Sequence, residues 1–203
     1  MKNMKVFNKS FLYCFLLYLF FSSCKNDDEL KNDEANIRFR YFNLEKQGWK
    51  SRNHIQKVDG INFVATEVPI QYYLLKNMGN LDLLKVDSLY ESNKKERVIE
   101  FTFEQDNQDD LLQQKYTSMN YEKSVSYMSF NIQKDFAVVT SKNDTIKCSG
   151  VLFERTFKIA PKNKLLLFFS NINPNESIQL VYQDELFKTG TLKFRFKDPI
   201  LKL

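Results

Sequence analysis

"TLKFRFK", residues 191–197, alternates apolar and basic side chains. Leu192, Phe194 and Phe196 fall on one side; Lys193, Arg195 and Lys197 fall on the other. A period of two belongs to a β-strand with one face buried and one face in water. The same alternation runs through Ile99, Phe101 and Phe103 in "RVIEFTFEQ" (97–105). It also sets Ile37, Phe39 and Tyr41 against Arg38 and Arg40, and "INFVATEV" (61–68) is a further strand candidate. "LLLFF" at 165–169 is apolar on both faces, which places it centrally in a sheet.

From about Ser124 the pattern predicts strands at 124–132, 135–141, 144–149, 151–159, 164–170, 177–183 and 191–197. The turns between them read "QKD", "SKND", "APKN", "NINPNE" and "QDELFKTG". Many short strands spaced roughly ten residues apart suggest a β-sandwich or a related barrel. The expected fold is therefore mainly β, a sandwich-like antiparallel domain over residues 37–203 with one or two short helices. "PIQYYLLKNMGN" (69–80) fits a strand or a short helix from Pro69 to a Gly79 cap, and helix is preferred. Residues 81–90 continue either way, "NKKE" (93–96) is a turn, and "DNQDDLLQQKY" (106–116) fits a short helix or loop. "NLEKQGWKSRNHIQKVDG" (43–60) reads as polar and turn-rich, with His54 facing solvent. Residues 60–115 are compatible with an insertion or elaboration carrying its own small helices, within one domain.

The chain opens differently. Lys2, Lys5 and Lys9 precede an apolar run, Phe11–Phe21, which ends in Ser22, Ser23 and Cys24. As a helix the run spans roughly 16 Å, about half of a bilayer core of about 30 Å. A basic start, a short apolar stretch and small residues at the exit describe a secretory signal peptide over 1–23. "FSSC" resembles the lipobox of bacterial lipoproteins, with Phe21 where that motif usually has Leu. The resemblance implies cleavage before Cys24 and lipidation of its sulfur. Two or three acyl chains hold a protein stably at a membrane where one does not. "CKNDDE" (24–29) also resembles the export signal of surface lipoproteins in Bacteroidetes bacteria. That implies an outer-membrane lipid anchor with the domain at the cell surface, the periplasmic face being the alternative. Residues 24–36 then form the lipidated cysteine and a polar, acidic tether.

Losing Lys2, Lys5 and Lys9 reduces 30 basic residues to 27 against 25 acids, so the processed chain is nearly neutral. That balance predicts no nucleic-acid partner. Cys14 leaves with the signal and Cys24 carries lipid, so Cys148 has no intramolecular disulfide partner. In "DTIKCSGVLF" (144–153) it reads as a buried, inert thiol on a strand. The processed chain keeps 14 Phe, 8 Tyr and Trp49, enough ring area to fill a core without disulfides.

Catalytic and cofactor signatures are not found. The five glycines have no phosphate-loop spacing, one histidine cannot build a histidine metal cluster, and no zinc helix or nucleophile elbow occurs. No cofactor and no catalytic or metal residue is assigned. Asp106, Asp109 and Asp110 in "EQDNQDD" (104–110) offer oxygens but lack the calcium-loop spacing, so a solvated loop and helix cap is the better account. Trp49, Tyr72 and Tyr73 offer a possible sugar platform, although such rings are more often core. Asp87-Ser88-Leu89 and Asp144-Thr145-Ile146 resemble the O-glycosylation signal of exported Bacteroidetes proteins, which implies Ser88 and Thr145 as acceptors.

These features lead to an expected lipid-anchored binding or assembly module of the cell envelope, with the membrane and an envelope protein or glycan as partners. Two other readings stay open. One is an envelope glycan hydrolase with paired carboxylates, which requires two converging acids, at least one with a raised pKa. The other is a protective lipoprotein that blocks a toxin or hydrolase.

Overall fold

Two antiparallel sheets carry the domain, and both follow from period-two patterning. The computed structural model describes residues 53–70, 73–74, 83–107, 109–154 and 162–197, with the backbone alone for 83–87. All of these lie in one unit, Asn43–Leu203. The strands are β1 (Asn53–Val58), β2 (Ile61–Val68), β3 (Arg97–Gln105), β4 (Phe136–Thr140), β5 (Thr145–Lys147), β6 (Gly150–Glu154), β7 (Asn163–Phe169), β8 (Ile178–Asp184) and β9 (Gly190–Phe196). The helices among the described residues are α1 (Leu83–Asn93), α2 (Gln114–Thr117) and α3 (Tyr121–Phe130), followed by a 3-10 turn at Ile132–Asp135. The fold is mainly β and sandwich-like, as the alternation predicted.

One sheet has the order β1-β2-β3-β7-β6, the other β5-β4-β8-β9. Their inner faces meet in an aromatic core. Phe101 of β3 sits 5.1 Å from Phe136 of β4, 5.3 Å from Tyr182 of β8 and 5.4 Å from Phe194 of β9, all edge-on. Phe136 and Tyr182 stack at 4.5 Å and 14°. Rings that meet edge-on or offset gain attraction beyond their area.

The sheets also join at their margins. Between β5 and β6 the chain passes from one sheet to the other through Cys148 and Ser149. The Cys148 N–H donates to Phe136 O at 3.2 Å and extends the four-stranded sheet. The Ser149 N–H donates to Phe168 O at 2.8 Å and extends the five-stranded sheet. At the other margin β1 lies beside β9. The Gln56 side chain donates to Lys193 O at 2.6 Å, and His54 meets Phe196 edge-on at 4.8 Å.

Several expectations need correction. The predicted strand at 124–132 is α3 and the turn after it. Asn120 caps this helix by accepting from the Lys123 N–H at 2.9 Å. Ser124 and Met128, four residues apart, are buried on one face. The polar stretch before Gly60 contains β1, and His54 on it is half-buried, not solvent-facing. Asp59 and Gly60, with φ of 50° and 77°, form the two-residue turn between β1 and β2. Residues 60–115 are no insertion, because β2 and β3 are inner strands of the five-stranded sheet. Residues 81–90 belong to α1 from Leu83 onward. "LLLFF" lies in β7, paired on both sides by β3 and β6. The signal peptide, Cys24, the tether, the strand at 37–41, Trp49 and Tyr72 lie outside the described residues.

Among the described residues the inner face also holds an ion pair. Arg97 and Glu67 are 2% and 0% exposed, and the Arg97 Nε donates to Glu67 Oε1 at 2.5 Å. Arg97 Nη1 also donates to the carbonyls of Asn173, Pro174 and Glu176, at 3.1, 3.4 and 3.2 Å, which ties the β7–β8 loop to the sheet. In a dry site such a pair needs these extra hydrogen bonds to offset desolvation.

A candidate binding face

The outer face of the four-stranded sheet follows from the register. One cross-strand row reads Lys147, Ala137, Val181, Lys193; the next reads Thr145, Val139, Gln179, Arg195. Gln183 and Thr191 pair beyond them, and Lys197 follows β9. Among the described residues this face carries four cations and no carboxylate. All four are exposed, and among the described residues no ion pair neutralises any of them. Alternate residues of a strand stand about 7 Å apart, so Lys193, Arg195 and Lys197 form an evenly spaced row. Lys147 lies three strands away from Lys193, at about 14 Å. The five-stranded sheet differs: Lys164 there bridges Glu100 at 3.2 Å and Glu154 at 2.7 Å.

The connecting loops bring acids to the rim. The Glu176 carboxylate accepts from Ser141 Oγ at 2.9 Å, and Glu185 pairs with Lys188 at 2.7 Å. Asp144 stands exposed in the β4–β5 turn. Between the rim and Arg195 lies an open recess of about 380 Å³. Its lining includes the hydroxyls of Ser141 and Ser177, the amides of Asn143 and Gln179, and the cations of Arg195 and Lys197. A second recess of about 350 Å³ lies where the chain changes sheets, between Phe130, Lys134 and Lys147 and over Cys148. Phe130 is 80% exposed there.

Asp135 and Asp184 are two acids near enough to influence each other. Both are buried, and Asp184 adds repulsion at Asp135. Burial is the chief cause that lifts the Asp135 carboxyl to about 6. Both Asp135 oxygens accept from the Tyr127 hydroxyl, whose own proton burial and Asp135 hold more tightly than usual. Asp184 Oδ1 accepts from Tyr182 Oη at 2.7 Å and from the N–H groups of Leu186 and Phe187. Its Oδ2 accepts from the N–H and hydroxyl of Thr189. These contacts fold the β8–β9 loop around Asp184. The carboxylates are spent on structure, under side chains that cover them.

The remaining sequence candidates are dispersed. Ser88 is exposed on α1 and Thr145 is exposed at the start of β5, on the cationic face. Cys148 is 6% exposed; its thiol donates to Gly150 O at 3.1 Å, and burial pushes its pKa up. His54 is on β1, at the opposite end of the strand order from β6, which follows Cys148. The three aspartates of 104–110 turn to separate partners. Asp106 binds Lys57 and Asn62, Asp109 binds Lys115 and Tyr116, and Asp110 accepts from the Leu112 N–H. The Tyr73 ring packs edge-on against Phe168 at 5.3 Å.

No protein-family model matches the sequence. No curated protein matches it. The crystal structure of a DUF4426 family protein from Pseudomonas aeruginosa PAO1 aligns over 73% of this chain and 94% of that one, at 11% identity and a TM-score of 0.37. That likeness is too distant to argue from.

Proposed function

We propose that this protein is a lipid-anchored binding module of the cell envelope, held at the outer membrane through Cys24. It meets its partner with the outer face of the four-stranded sheet. The observation that carries the reading is that face: four exposed cations, none neutralised by an acid among the described residues, beside a polar recess. Exposed charge of one sign steers and selects oppositely charged partners. The "FSSC" ending and the polar tether supply the means of presenting the face at a membrane.

The test follows the anchor and the side of the membrane together. Cells expressing the tagged wild type and Cys24→Ala are labelled with palmitate, fractionated, and treated intact with protease. The wild type is expected to carry label, sediment with the outer membrane and be digested while a periplasmic marker survives. Cys24→Ala is expected to lose label and leave the membrane. Equal labelling of the two would refute the anchor. A labelled but protected domain would place the module on the periplasmic side.

A further inference from the structure

The geometry points to a linear acidic glycan, one carrying carboxylate or sulfate groups, as the partner of the cationic face. This rests on reading that face as the binding surface. The row Lys193, Arg195, Lys197 repeats a cation about every 7 Å along β9, which suits an extended chain bearing regularly spaced anions. A polymer crossing the strands from Lys193 meets a second cation at Lys147, in the same cross-strand row.

The recess narrows the chemistry. At about 380 Å³ it is near the small end of ligand sites. Its hydroxyls and amides complement the hydroxyls of a sugar ring, while Arg195 and Lys197 meet the acid group. The face itself argues against other polyanions. Its outward residues on β4, β5, β8 and β9 include no aromatic ring, so the strands that carry the row Lys193, Arg195 and Lys197 offer no base-stacking platform; the exposed Phe130 stands at the other recess, beside Lys147. Its only apolar members are Ala137, Val139 and Val181, too small and too recessed to enter a bilayer.

The experiment uses the full-length protein in detergent and measures binding of polygalacturonate, chondroitin sulfate, neutral dextran and oligo-dT at low and high salt. The acidic glycans are expected to bind, dextran not, and oligo-dT more weakly than either glycan. Arg195→Gln combined with Lys197→Gln should weaken glycan binding by about tenfold or more, as loss of two charge-assisted contacts requires. Gln179→Leu should weaken it without changing its salt dependence. Lys94→Glu, in the turn after α1 and paired with Glu91, should leave it unchanged. Oligo-dT binding as tightly as the glycans, or indifference to the Arg195 and Lys197 changes in protein with unaltered melting, overturns the proposal. Its failure is separable from that of the module. A palmitate-labelled, membrane-bound protein that ignores both glycans removes the glycan and leaves the anchor standing.

Discussion

Tyr127 gives a single hydroxyl to both carboxylate oxygens of Asp135, at 2.9 and 2.7 Å. The pair joins α3 to the 3-10 turn that leads into β4. Burial raises the Asp135 carboxyl from 3.8 to about 6, and the Tyr127 bond and nearby Lys134 only partly offset it. Between about pH 4 and 6 the folded chain therefore holds a proton that the unfolded chain has released. The resulting stability is complete below the unfolded pKa and lost as pH rises through 6. Two pKa units correspond to about 3 kcal/mol at most. Asp135→Asn keeps an acceptor for Tyr127 and removes the charge. It is expected to be more stable than wild type by about 1–2 kcal/mol at pH 7.5. Urea titrations at several pH values should show the gap closing toward pH 4, and a gap independent of pH would refute the account.

Arg97 holds Glu67 and the β7–β8 loop at once. Arg97→Ala removes the countercharge of a buried carboxylate and unties three loop carbonyls. The expected loss is about 3–5 kcal/mol. Replacing both partners, Glu67→Leu with Arg97→Met, should recover much of it, because apolar residues of similar volume need no charge balance there. Denaturant midpoints of the single and double variants test this; a double variant as weak as the single one would contradict it.

Phe101 touches rings from both sheets, so its loss is felt across the interface. Phe101→Ala is expected to cost about 3–5 kcal/mol. Near-ultraviolet circular dichroism should fall with it, since Phe136, Tyr182 and Phe194 lose a common neighbour. Retention of the aromatic signal at full strength would show that the core has other means of fixing these rings.

Gly60 turns the β1–β2 hairpin at a φ of 77°, and a methyl group there would meet nothing within 4 Å. The cost of Gly60→Ala is thus backbone strain alone, about 1–2 kcal/mol. Thermal melting measures the loss, and Gly60→Asn, which tolerates this backbone better, should lose less. Equal losses would point to a cause other than φ.

The legible parts of the fold are those where polarity and orientation agree. β3 and β9 announce themselves because their apolar residues point inward and their polar ones outward. β1 hides because its orientation is reversed in character: Ile55 faces solvent at 65% exposure, while His54 and Gln56 turn toward β9. Only the Asp59-Gly60 turn signal could have revealed it. α3 hides because Val125 and Tyr127 imitate alternation, whereas the helical spacing of Tyr121, Val125 and Met128 and the Asn120 cap describe what forms. The cationic row on β9 is visible in "TLKFRFK". That no acid among the described residues shares its sheet face depends on which strands become its neighbours, and the strand order is not local information.

Cys148 and Ser149 are adjacent in the chain, yet their N–H groups are held by carbonyls of different sheets. Their exchange with solvent deuterium therefore reports separately on the two halves of the sandwich. Matching rates would mean that the sheets open as one cooperative unit. Diverging rates would identify the half that opens first, from two neighbouring amides.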